Sequence, residues 1–281
     1  MKKMLSLAAL VLALPAAQAG TIALWNFQSD AIAGNNTPAA DVGTGIASSI
    51  GMTNSYNGTT AVTTDDVLAG VSSDTGANGL SNTSQIWRVR GQNPGNGWSS
   101  QAAIGTQGAQ FAASTVGYSG ITVSFDWYAT TQGEGNLQLQ YTTDGVNYNN
   151  VAINIGANSA AGLASLTNST SDNTVTGAYI SDNKKSNALG GQDWFQGLTA
   201  TIVDPAAAND ANFAIRLVNA STGADDLSTQ GTALNNTSGN WRFDNVSISG
   251  IATPVPEPET YVQLLAGLAA LGFVARRRKS A

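Results

Sequence analysis

The 281-residue chain contains no cysteine and no histidine. Without cysteine it has no disulfides, no thiol nucleophile and no cysteine-ligated zinc site, so its core must be held by packing alone. Without histidine it has no Ser-His-Asp triad, no HExxH zinc site and no imidazole base near neutral pH. These two absences argue against an ordinary hydrolase.

Glutamate is nearly absent from the middle of the chain, where Glu134 is the only one between Gly20 and Thr253. A glycosidase needs two carboxylates, so it would have to use two aspartates, or Glu134 with one aspartate. We therefore predict a protein without catalytic residues. An enzyme that uses aspartates such as Asp126 is the least favoured hypothesis.

Basic residues are also few. Six of the 12 Lys and Arg and two of the 18 Asp and Glu lie in the terminal segments, which leaves 6 cations and 16 anions and a net charge of −10 between Gly20 and Thr253. Such a surface repels nucleic acid and anionic lipid, so neither is expected as a partner of this part of the chain.

The N-terminus has the three parts of an export signal. Lys2 and Lys3 form a positive start, Met4 to Leu14 form an apolar core, and Ala17-Gln18-Ala19 is a small-x-small cleavage pattern. The sequence therefore predicts a signal peptide over residues 1–19 and a mature chain that begins at Gly20.

The C-terminal segment, residues 252–281, joins a proline-rich linker, an apolar run from Tyr261 to Ala275 and a basic end. The basic end comprises Arg276, Arg277, Arg278 and Lys279. A helix of this run would span roughly 22 Å at about 1.5 Å per residue, less than the roughly 30 Å of a bilayer core. We expect a short transmembrane helix suited to temporary residence, with its basic end in the cytoplasm.

This order of parts resembles the PEP-CTERM sorting signal, with Pro256, Glu257 and Pro258 as its motif. The resemblance implies recognition by an exosortase, a membrane transpeptidase of Gram-negative bacteria. It also implies export across the inner membrane and delivery to the cell surface or its polysaccharide matrix. The prolines favour an extended, accessible backbone that an enzyme cleft could take. The alternative is a plain membrane anchor behind a proline linker.

Residues 20–251 have the composition of a β domain, with short β-branched and aromatic runs between Gly, Asn and Asp. Asp144-Gly145 predicts a hairpin turn. We expect strands at Thr21–Gln28, Gly45–Met52, Ala61–Leu68, Ser84–Arg90, Ala109–Val116, Ile121–Tyr128, Leu137–Tyr141, Val146–Ile155, Leu198–Val203 and Asn212–Val218.

The last apolar stretch contains a change of parity. Trp241 and Phe243 share one face of a strand, whereas Val246 and Ile248 share the other. Both pairs can face one core only if a residue is inserted between them, so we predict a bulge or bend at Asp244-Asn245.

These patterns predict an all-β, antiparallel, two-sheet sandwich. The stretches WRVRG, GITVSFDWYAT, LQLQYTTDG, FAIRLVN and WRFDNVSISG resemble the jelly-roll domains of exported bacterial proteins that carry this sorting tail. The sequence is more loosely similar to carbohydrate-binding sandwiches whose last strand follows Asp-Asn-Val, here residues 244–246.

Two tryptophans, Trp98 and Trp194, fall in predicted loops. An indole in a loop can stack on a sugar ring, or it can fold back onto the core. Both alternatives remain open, and packing is the commoner outcome.

Two aspartates are candidate ligands for a structural Ca²⁺: Asp126 on the polar side of its strand, and Asp244 at the last strand. No EF-hand pattern is present, and no other cofactor is expected.

Two hypotheses follow for the function. The first is a non-enzymatic, exosortase-processed protein with a structural or adhesive role at the cell surface or in extracellular polysaccharide. The second is a carbohydrate-binding module that contacts a glycan through Trp98 or Trp194.

Overall fold

The computed structural model describes residues 19–27, 37–54, 86–90, 97–129, 132–154, 167–168, 180–181, 195–220, 228, 234, 239–253, 262, 265–271 and 276–277. Residues Ala19–Ile251 form one compact unit, and the remainder of the chain forms a second. The predicted signal peptide up to Gln18 and the strand predicted at Ala61–Leu68 lie outside the described residues.

The described part of the larger unit contains 14 strands. Their bounds are β1 Ala19–Trp25, β2 Val42–Gly43, β3 Ile46–Ile50, β4 Thr53–Asn54, β5 Trp87–Arg90, β6 Gly108–Ala112, β7 Tyr118–Ala129, β8 Asn136–Thr142, β9 Asn149–Val151, β10 Thr167–Asn168, β11 Ile180–Ser181, β12 Phe195–Thr201, β13 Ala214–Asn219 and β14 Asn240–Ala252. A 3₁₀ turn spans Pro205–Ala207.

The strands form two antiparallel sheets. The first sheet has the order β12-β7-β14-β1-β2, with β5 also beside β14 and β4 beside β5. The second sheet has the order β10-β11-β8-β13-β6-β3, with β9 beside β8. The predicted two-sheet antiparallel sandwich is confirmed, and the turn at Asp144-Gly145 joins β8 to β9 as expected.

The core between the sheets is rich in aromatic side chains. Phe111 of the second sheet lies edge-on to Trp25, Trp87 and Phe243 of the first sheet, with ring centroids 5.2, 5.8 and 5.7 Å apart. Edge-to-face contacts at these distances add to the free energy gained by burying the rings. Phe111 therefore joins the two sheets at the centre of the core.

The bulge or bend predicted at Asp244-Asn245 is confirmed, and it lies within a single strand of 13 residues. Asn245 has a φ of 49°, in the left-handed region. On either side of it, Phe243 and Val246 are both fully buried in the same hydrophobic core. The irregularity at Asn245 thus lets both apolar sets face inward.

The polar side of β7 differs from expectation. In its first half Thr122 is exposed, but Asp126 and Tyr128 in its second half are buried. The guanidinium of Arg242 lies 5.2 Å from the centroid of the Tyr128 ring. The second half of β7 is therefore covered on both sides and offers no wet face.

The C-terminal unit is helical at residues 262 and 265–271, within the predicted apolar run. Its side chains Val262, Leu265, Leu268 and Leu271 are more than half exposed. Among the described residues, no helix has both the length and the apolar character required to cross a bilayer.

We expect Phe111→Ala to lower the free energy of unfolding by about 3–5 kcal/mol, because it removes the ring that joins the sheets and leaves a cavity. Denaturant unfolding of the purified protein measures the change. As a control, Val203→Ala at a 90% exposed position should shift stability by no more than about 0.5 kcal/mol. Equal effects of the two substitutions would contradict this account of the core.

Candidate functional site

Trp98 is a core residue. Its side chain is 1% exposed, and its ring centroid lies 4.6 Å from that of Trp241. A buried indole presents no face to a sugar. The structure therefore decides for packing at this position, and the glycan-contact alternative for Trp98 is not retained.

The side chain of Gln107 explains why the loop that carries Trp98 turns inward. Its Nε2 donates to the carbonyl of Gly97 at 2.6 Å, and its Oε1 accepts from the backbone N–H of Ser99 at 3.0 Å. The amide thus holds the residues on both sides of Trp98 and directs the indole into the core. Trp194, the other candidate, lies outside the described residues.

Asp126 links two irregular strands. Its Oδ1 accepts from the backbone N–H of Gly197 at 2.7 Å, and its Oδ2 accepts from Nδ2 of Asn245 at 3.2 Å. Gly197 and Asn245 both have positive φ, and the pairing of β12 with β7 shifts register beside Gly197. The carboxylate of Asp126 therefore stabilises a bulge on each neighbouring strand.

Asp244 has a similar local role, since its Oδ1 accepts from the backbone N–H of Asn245 at 2.8 Å. The described residues contain no group of three acidic, His or Cys side chains that could hold a metal ion. The geometry of Asp126 and Asp244 thus accounts for both as supports of the bulges, and it gives no support to the calcium hypothesis.

The outer face of the second sheet carries a polar row that sequence reasoning did not identify as a site. Paired positions on five adjacent strands bring together Ser48, Gln110, Arg216, Gln140 and Asn150. All five are half-buried. The first four have buried apolar neighbours on the core side of their strands, and Asn150 lies beside the partly buried Val151. At a strand spacing of about 4.8 Å the polar row spans roughly 19 Å.

Tyr148 folds over the middle of the polar row. Its hydroxyl donates to Oε1 of Gln110 at 2.9 Å, and Nε of Arg216 donates to the same oxygen at 2.9 Å. The guanidinium carbon of Arg216 lies 3.4 Å from the centroid of the Tyr148 ring, which is a cation–π contact. Burial lowers the pKa of Arg216, but an arginine so placed remains a cation at neutral pH.

The polar row is bounded on two sides. A Cβ on Gly105 would lie 3.2 Å from the amide oxygen of Gln140, so the loop containing Gly105 lies against the row. Ile46 and Ala112 lie two positions along their strands from Ser48 and Gln110, and they line a cavity of about 280 Å³. The row therefore lies between a loop and a small apolar cavity.

Part of this site was visible in the sequence. The alternation of Leu137 and Leu139 with Gln138 and Gln140 places the glutamines on the outer face. The register between β6, β13 and β8, which aligns Gln110 with Arg216 and Gln140, has no local signal in the sequence.

The C-terminal residues 254–279 match the PEP-CTERM protein-sorting motif. This chain carries a PEP-CTERM sorting signal. The match includes Pro256, Glu257 and Pro258, and also the basic end. Arg276 and Arg277 of the basic end are helical and exposed. A signal of this kind indicates export in a Gram-negative bacterium and processing by an exosortase.

The sandwich is similar to solved carbohydrate-binding domains at low scores. One is the N-terminal cellulose-binding domain of a Cellulomonas fimi β-1,4-glucanase C, at 11% identity and a TM-score of 0.28, covering 66% of this chain and 88% of that one. Another comprises the CBM22-1 and GH10 modules of a Clostridium thermocellum xylanase 10B with xylohexaose, at 13% identity and a TM-score of 0.26, covering 66% and 25%. No curated protein matches the sequence.

We expect Asp126→Asn to lower the free energy of unfolding by about 1–3 kcal/mol, because one acceptor oxygen replaces two and a donor at a bulge loses its partner. Thermal unfolding of the purified protein measures this, with Thr122→Ala on the same strand as the neutral control. Adding EDTA should not change either midpoint. A calcium-dependent rise of the wild-type midpoint that Asp126→Asn abolishes would contradict the bulge-supporting role and restore the metal hypothesis.

Proposed function

We propose that this chain is an exported, exosortase-processed protein retained at the cell surface or in extracellular polysaccharide, where it has a non-enzymatic structural or adhesive role. The observation that carries the proposal is the match of residues 254–279 to the PEP-CTERM sorting motif.

The use of acidic groups in the sandwich supports a non-enzymatic role. Asp41 accepts from the backbone N–H groups of Asn26 and Phe27, and the buried Glu134 accepts from the backbone and side chain of Asn136. Asp126 has the structural role described above. These carboxylates stabilise backbone conformations, and the chain has no His or Cys to act beside them.

The position of β14 links folding to export. This strand lies between β7 on one side and β1 with β5 on the other, and it is the last strand of the sandwich. The first sheet therefore lacks its central strand until Ala252 has left the export channel. A C-terminal segment that stays in the membrane would hold the chain at the cell envelope while this strand docks.

The two chain ends of the sandwich leave it side by side, because Ala19 pairs with Ile251 and Gly20 with Gly250. Cleavage after Ala19 removes only the first residue of β1.

A second candidate function is carbohydrate binding, and the polar row with Tyr148 is the observation that favours it. Amide, guanidinium and phenol groups in a half-buried row are groups that can orient a sugar chain. Because Trp98 is buried, this candidate now depends on the polar row rather than on that tryptophan.

We expect Pro256→Ala combined with Glu257→Ala to leave the full-length precursor in the membrane fraction, because the exosortase loses the extended motif that it reads. Immunoblotting of fractionated cells and intact mass spectrometry measure processing. Val255→Ala, in the same linker but outside the Pro256-Glu257-Pro258 triplet, should be processed normally. A mature surface protein that still contains residues 260–281 would contradict the processing proposal.

We expect deletion of residues 276–279 to impair retention and processing, because the cations that stop the helix at the cytoplasmic face are lost. Replacing the three arginines by lysine keeps the charge and should leave sorting intact. Normal processing of the deletion variant would show that the basic end is dispensable. Cell fractionation after pulse labelling distinguishes these outcomes.

A further inference from the structure

We propose that the polar row on the second sheet binds a neutral polysaccharide that lies across the strands, with Tyr148 as its aromatic contact. This inference rests on the second candidate function and deepens it. It assigns a site and a ligand class to residues other than Trp98, Trp194 and the sorting signal.

Three side chains of the row, Gln110, Arg216 and Gln140, keep hydrogen-bonding groups that their bonds within the row do not use. Nε2 of Gln110 and the terminal N–H groups of Arg216 remain as donors, because the bonds of these side chains use Oε1 and Nε. Oε1 of Gln140 remains as an acceptor, because its bond to Asn150 uses Nε2. The row thus offers donors and an acceptor within neighbouring strands.

A hydroxyl group fits such a mixed set, because it can accept from Arg216 and donate to Gln140. A carboxylate can only accept, so it would leave Oε1 of Gln140 unpaired and facing a negative charge. Sugars present several hydroxyls on each ring, and each hydroxyl can both accept and donate. A neutral sugar chain can therefore pair with the donors at Gln110 and Arg216 and with the acceptor at Gln140.

The charge around the row favours a neutral ligand. Hydrogen bonds from the backbone and side chain of Asn147 hold the pKa of Asp144 well below its usual range, so this residue stays anionic in the hairpin that carries Tyr148. The domain around it has a net charge of −10 from Gly20 to Thr253. One arginine does not offset this field, which disfavours a polyanionic chain over a neutral one.

Tyr148 is held in a fixed position on the row. Its hydroxyl is held by Gln110 and one ring face is taken by the Arg216 guanidinium, so the exposed part of the half-buried ring is the opposite face or the edge. A fixed aromatic ring loses little entropy when a ligand packs on it, and it can cover the apolar C–H groups of a sugar. Arg216 is therefore a positioning residue for the ring as well as a donor.

The geometry also bounds the ligand. The roughly 19 Å length of the row suits an extended oligosaccharide rather than a single sugar. The loop at Gly105 closes one side near Gln140, and the cavity beside Ile46 and Ala112 gives room on the other. A chain that runs across the strands would pass over Tyr148 at the middle of the row and meet members of the row on either side of it.

The test uses the purified exported protein on an array of neutral and uronic-acid oligosaccharides, followed by calorimetry with the best neutral binder. We expect binding of neutral oligosaccharides. We also expect Arg216→Met and Gln140→Ala each to weaken the affinity at least tenfold. Arg90→Met, at a half-buried arginine of the other sheet, should leave the affinity unchanged. Circular dichroism melting checks that every variant folds.

Tyr148→Phe adds a readout that separates positioning from contact. It keeps the ring but removes its bond to Gln110, so it should weaken binding less than Tyr148→Ala does. Absence of neutral binders, binding confined to uronic acids, or affinity unaffected by Arg216→Met and Gln140→Ala would each overturn the proposal. None of these results would alter the fractionation experiments, so failure of the binding site and failure of the sorting role remain distinguishable.

Discussion

The contact between the two sheets at Phe111 is the interaction on which the sandwich depends. A chain without cysteine cannot be held by disulfides, and the described residues contain no group of three acidic, His or Cys side chains that could hold a metal ion. The free energy that keeps the sheets together must therefore come from burial and from contacts between rings. Trp25, Trp87 and Phe243 of the first sheet surround Phe111 of the second, which fixes how the two sheets face each other.

Packing of this kind requires the strands to bend, and the bends need polar support. The bulge at Asn245 lets Phe243 and Val246 both face the core, and Asp126 accepts hydrogen bonds from this bulge and from the bulge at Gly197. A carboxylate buried between two bulges has its cost of burial offset by hydrogen bonds. The acidic residues of β7 and β14 are thus part of the framework, although in the sequence they had the character of metal ligands.

The two faces of the sandwich differ in what they leave free. On the first sheet, Asp126, Tyr128 and Arg242 are buried and engaged with one another or with the bulges. On the second sheet, Gln110, Gln140 and Arg216 are half-buried, and their hydrogen bonds within the row and to Tyr148 leave some of their donor and acceptor groups unused. The side of β7 that carries Asp126 is therefore structural, and the binding surface that we propose lies on the other sheet.

The sequence by itself determined the β class, most strand positions, the bulge at Asn245 and the sorting signal, because alternation, turn residues and the order of motif, apolar run and basic end are local properties. It did not determine the burial of Trp98, which follows from a clamp by Gln107, or the alignment of Gln110, Arg216 and Gln140. The alignment depends on register between strands more than 20 residues apart in the chain. Only the packed sheets decide such pairings, since the same alternation is compatible with many registers until one core is filled.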